Sequence, residues 1–99
     1  MIKTFKLKGL EQYYLTGNTA GIPPSHATEL KIILTALNAA SQPSDMKAPV
    51  WRLHPMNGNF QDHWAVIING SWRLIFKFNE DEEVEIIDYQ NYKLENKYA

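Results

Sequence analysis

The first residue whose type and setting point to chemistry is Arg73, alone in the apolar run Trp72-Arg73-Leu74-Ile75-Phe76. A guanidinium on a strand, its stem packed on apolar neighbours, can clamp a phosphate through paired N–H groups. The same position suits an arginine that covers sheet surface or pairs with Asp88 on the next strand. His54, in Leu53-His54-Pro55, precedes the loop Met56-Asn57-Gly58-Asn59-Phe60. An imidazole titrates near neutrality and can give or take a proton, although a histidine at a strand end is more often a hydrogen-bonded structural residue. Trp64 can stack on a base for about 1–3 kcal/mol or pack against a neighbouring segment. The run Asp88-Tyr89-Gln90-Asn91-Tyr92-Lys93 carries two phenols and an ammonium that could bracket a phosphodiester. Its plainer use is an edge strand whose aromatics pack back on the sheet.

Other chemistries are excluded or disfavoured. With no cysteine among 99 residues there is neither a disulfide framework nor a thiolate zinc site. His26, His54 and His63 share no ligand spacing, so no metal is expected. No phosphate-binding loop, dinucleotide fingerprint or serine nucleophile elbow occurs, and Asn57-Gly58-Asn59 is turn chemistry. The net charge is −1, but six of the eleven acids fall between Glu80 and Asp88. The rest of the chain sets five acids against ten basic residues, so one side can meet a polyanion. The length fits one domain spanning residues 1–99. No apolar stretch is long enough to span a membrane and no signal-peptide block opens the chain, so a reduced cytoplasm is the expected location.

The elements that must hold these residues read as follows. Ile2 to Leu7 alternates weakly and predicts a strand. Gly9 to Leu15 predicts a short helix stopped at Gly17. Pro23-Pro24-Ser25 predicts a helix start capped by Ser25, and Leu30, Ile33, Leu34 and Leu37 recur at helical spacing to near Ala40. Val50–His54, Trp64–Ile68, Ser71–Phe78 and Val84–Asp88 read as strands, with Asn69-Gly70 as a two-residue hairpin turn. That turn sets Val66 opposite Arg73 and Ala65 opposite Leu74. One face then carries Ala65, Ile67, Trp72, Leu74, Phe76 and Phe78 under the helices. An uncovered face carries Trp64, Val66, Ile68, Arg73, Ile75 and Lys77. The order predicts an α+β fold with two N-terminal helices on one side of an antiparallel sheet.

The chain resembles the HigB toxins of the RelE/ParE superfamily. The resemblance lies in Ile2-Lys3-x-Phe5-Lys6-x-Lys8-Gly9-Leu10, Gly17, Gly21, Arg52-Leu53-His54-Pro55, Gly58 and Trp64. It continues through Asn69-Gly70-x-Trp72-Arg73-Leu74-x-Phe76-x-Phe78 and Asp88-Tyr89-x-x-Tyr92, leaving 94–99 as an extension. It implies a small fold with a curved antiparallel sheet. It also implies a metal-independent endoribonuclease, needing no cofactor, that cuts translated mRNA in the ribosomal A site. A helix-turn-helix antitoxin would be its partner. The family's strand arginine falls on Arg73 and its C-terminal Tyr-His pair on Tyr92-Lys93; a second frame would use Tyr89-Gln90. Its lysine after the His-Pro motif falls on Asn57. Taken with the reading of the residues themselves, the expected catalytic residues are Arg73, Tyr92, Lys93 and His54, and Asn57, Trp64, Lys77 and Tyr89 are expected to contact substrate. An ammonium at position 93 in place of an imidazole implies slower turnover. The competing expectation is a toxin-fold module that binds an antitoxin or another protein without cutting RNA.

Overall fold

The computed structural model describes residues 1–91. Tyr92, Lys93 and the 94–99 extension lie outside the described residues. Strand β1 (Ile2–Phe5) leads into helix α1 (Lys8–Thr16) and, after a loop, helix α2 (Ala27–Ala39). Then come β2 (His54–Pro55), β3 (Trp64–Asn69), β4 (Trp72–Phe78) and β5 (Val84–Asn91). They form a five-stranded sheet in the order β1-β5-β4-β3-β2. The neighbours from β2 to β5 pair antiparallel, whereas β1 runs parallel to β5. Both helices and three strands separate β1 from β5, ample length for a parallel return.

Helix α2 forms because its apolar residues fall on one stripe. Leu30, Ile33, Leu34 and Leu37 are fully buried against Val66, Ile68, Leu74, Phe76, Val84 and Ile86. Each such side chain contributes about 1.5–3 kcal/mol of transfer free energy. The expected Ser25 cap is not formed. Pro24–His26 make a 3₁₀ turn first, and no side chain caps α2. Helix α1 ends as expected at Gly17, where φ is 80° and the amide donates to Tyr13 O at 2.9 Å.

The start of α1 meets the loop before α2 backbone to backbone. A Cβ on Gly21 would lie 2.5 Å from Gly9 Cα, and one on Gly9 would lie 2.7 Å from Gly21 O. Neither atom can swing aside as a side chain would. Gly21→Ala should therefore destabilise the protein by about 1–3 kcal/mol, read as a fall of several degrees in Tm. A Tm within about a degree of the parent would show that the two segments part at no cost.

The expected β3–β4 register needs correction. Asn69 pairs with Trp72, so Gly70-Ser71 form the turn, with glycine first at φ 59°. Ile68 is the extra residue of a bulge, and Ile67 pairs with Arg73. Strand β4 keeps its expected faces, but β3 is reversed. Val66, Ile68 and Trp64 join the helix-side core, while Ile67 turns to the Arg73 side. That second face is not bare either: Ala65 and Ile75 on it have no exposure. A second bulge at Ile87 shifts β5, because Ile75 pairs with Asp88 and Phe76 with Ile86. Before the bulge, Val84 and Ile86 face the helices. After it, Tyr89 does, and Asp88 and Gln90 face the Arg73 side.

Tyr89 thereby enters an aromatic cluster under the helices. Its hydroxyl shares a hydrogen bond with His26 Nδ1, and its ring lies 5.0 Å from Trp72. His26 is 4% exposed, its ring 5.2 Å from Trp72. Burial pushes the His26 imidazole below its ordinary value of 6.5 and raises the Tyr89 phenol. With a depressed folded value, the unfolded chain binds this proton first on acidification. The contribution is complete above pH 6.5 and is lost as pH falls through the folded value. Urea midpoints at about pH 7.5 and 5.5 should drop more for the parent than for His26→Gln. Equal drops would remove His26 as the cause.

Candidate active site

The segment before β2 departs from the expected strand over Val50–His54. Pro49 opens a 3₁₀ turn, Pro49–Trp51, and Arg52 ends it in the left-handed region at φ 47° and ψ 51°. Such a conformation costs a non-glycine residue about 1–2 kcal/mol. The Arg52 amide donates to Pro49 O at 3.2 Å, and its carbonyl accepts from His54 Nδ1 at 2.7 Å. A carbonyl only accepts, so this bond places the hydrogen on Nδ1 and makes Nε2 the basic nitrogen of the neutral ring.

His54 then pairs with Ala65 on β3, and Ile67, two residues along, pairs with Arg73. The result is a cleft of about 500 Å³ lined by Val50, Arg52, His54, Ile67, Gly70 and Arg73. Arg73 is half-buried, and Gln90 Oε1 accepts from its Nε at 3.2 Å and its Nη2 at 2.8 Å. Gln90 Nε2 in turn donates to Asp88 Oδ2 at 2.7 Å, and Asp88 Oδ1 accepts from the Tyr89 amide at 2.8 Å. Asp88 thus reaches Arg73 through a neutral amide rather than by the direct pairing weighed from the sequence. The relay fixes the plane of the guanidinium while keeping the carboxylate at one remove. An oriented cation and a tautomer-fixed imidazole on one cleft can do acid–base chemistry on a phosphodiester.

The other candidates are placed differently. Trp64 is corrected: it packs on the helix-side core, because the Ile68 bulge lets β3 pair one step away from the expected register. Tyr89 is on that side too, bonded to His26, so the Tyr89-Gln90 frame puts only Gln90 beside Arg73. Lys77 shares the Arg73 face but lies further along β4, in an ion pair with Glu85 at 3.6 Å. Asn57 is exposed in the loop after β2 and does not line the cleft. Tyr92 and Lys93 lie outside the described residues, which end at Asn91. Sequence reasoning missed Arg52 and the Gln90 bridge; Pro49 was the one local signal that a turn replaces the strand there. Among the described residues, no group of three or more His, Cys, Asp or Glu could hold a metal ion. Among them also, no helix is long and apolar enough to cross a membrane.

The family model described as "RelE-like toxin of type II toxin-antitoxin system HigB" matches residues 3–93. The chain belongs to this HigB-like toxin family. As the toxin half of such a system, it has an antitoxin as its partner. A curated relative, Endoribonuclease HigB of Proteus vulgaris, is 29% identical over 92 residues, covering 93% of this chain and 99% of that protein. The fold is similar to that in the YoeB-YefM complex from Staphylococcus aureus, with TM-score 0.59, 13% identity and 91% and 95% of the two chains covered. It is also similar to the crystal structure of a YafQ mutant from E. coli, with TM-score 0.58, 14% identity and coverage of 95% and 97%. At such identities the likeness is one of α+β fold.

Proposed function

We propose that this HigB-like toxin is a metal-independent endoribonuclease that cuts mRNA during translation. The observation that carries the reading is the shared cleft of His54 and Arg73, with His54 Nδ1 tied to a carbonyl. In the reaction, His54 Nε2 takes the proton of a ribose 2′-OH. The 2′-oxygen attacks the adjacent phosphorus and closes a 2′,3′-cyclic phosphate. Arg73 stabilises the charge that develops on the non-bridging oxygens. The bond to the 5′-oxygen breaks, and that oxygen leaves with a proton from a general acid. Lys93 and Tyr92 are the residues assigned to supply it, on the strength of the family resemblance. A lysine ammonium donates less readily than an imidazolium, so turnover is slower than with histidine at position 93.

The site of action is the ribosomal A site, the location the cytoplasm, and the partner a helix-turn-helix antitoxin that silences the toxin; these follow from the same resemblance. Added to a translating extract, the protein should produce breaks within the translated part of a reporter message, read by primer extension. The breaks should vanish when the start codon is removed. Intact message under both conditions would leave the fold as an antitoxin-binding module without turnover.

A further inference from the structure

The cleft contains a second guanidinium that the reaction above does not employ. Arg52 lines it together with His54 and Arg73. It is exposed, and no carboxylate among the described residues forms an ion pair with it. Its root is fixed, since its own amide and carbonyl are bonded to Pro49 and His54. Strand β3 lies between the β2 side, where Arg52 sits, and β4, where Arg73 sits, with Ile67 on the cleft floor between them. The two cations therefore flank an apolar strip, one on each side. Lys77, further along the same face, is engaged with Glu85.

We propose that Arg52 and Arg73 grip successive phosphates of a single RNA strand, the scissile one at Arg73 and its neighbour at Arg52. The inference rests on the endoribonuclease reading and extends it. The substrate is recognised as a polynucleotide, because a mononucleotide presents no second phosphodiester to Arg52. Binding through a backbone-tracking pair of charges is sequence-tolerant and sensitive to salt.

The test uses a short 2′-O-methyl oligoribonucleotide, whose blocked 2′-oxygen prevents cleavage, with affinity followed by fluorescence anisotropy across a salt titration. Each phosphate contact on a single strand contributes about 0.7 to the slope of log affinity against log salt. Arg52→Gly suits the left-handed backbone and so preserves the fold. It should flatten the slope by about 0.7 and weaken low-salt binding roughly tenfold. Arg52→Lys should restore most of the slope. On translated message, Arg52→Gly should raise the concentration giving half-maximal cleavage. A slope for Arg52→Gly equal to the parent's overturns the proposal. A parent that binds with the steeper slope yet leaves translated message intact would retain the grip and remove the nuclease reading.

Discussion

Arg73→Ala should lower the rate of message cleavage by about 10²–10³-fold and leave the fold standing. The expected loss is large because the guanidinium is already oriented. Gln90 accepts from both Nε and Nη2, and Asp88 holds Gln90. No reorganisation is then needed as charge develops on phosphorus. The fold survives because Arg73 is only half-buried and lies away from the helix-side core, which is built on Leu74 and Phe76. Gln90 can turn to water when its partner is gone, so its own amide is not stranded. Arg73→Lys keeps the charge but loses the planar fork that meets Gln90 and phosphate together, and should recover only part of the rate. Single-turnover cleavage of ribosome-bound message, beside a urea melt of each variant, measures both halves of the expectation. Equal cleavage by the parent and Arg73→Ala would remove Arg73 from the reaction.

His54→Gln should cost about 10²–10⁴-fold, the usual worth of a general base. The glutamine amide can still donate to the Arg52 carbonyl, so the turn before β2 keeps its anchor. What disappears is a nitrogen able to take the 2′-proton. Single-turnover cleavage by the parent and by His54→Gln at equal rates would remove His54 from the reaction.

How much of this was visible in the sequence differs by element. Helix α2 was legible because four leucine and isoleucine side chains repeat at one spacing and the core takes all four. The orientation of Arg73 was legible because β4 alternates strictly and has no bulge of its own. The faces of β3 were not, because Asn69-Gly70 looks like the stronger hairpin signal. The chain instead turns at Gly70-Ser71 and absorbs the difference at Ile68. That single slip moved Trp64 from the supposed RNA face into the core. The β5 bulge left no mark in the apolar pattern of Val84-Glu85-Ile86-Ile87, yet it decides that Gln90 rather than Tyr89 meets Arg73. Arg52 was hidden for another reason. Local composition suggested a strand, and only the left-handed turn after Pro49 brings its side chain to the cleft.

The surplus residue at Ile87 also divides the labour of the last strand. Positions 84, 86 and 89 serve the interior, and positions 88 and 90 hold Arg73 from the opposite face, with no side chain shared between the two tasks. Chemistry at the cleft can therefore be retuned through two outward positions without disturbing apolar packing. Were Ile87 to pair in regular register opposite Ile75 instead of bulging, the two sets would exchange and the Asp88 carboxylate would be carried beneath the helices, at a desolvation penalty of several kcal/mol.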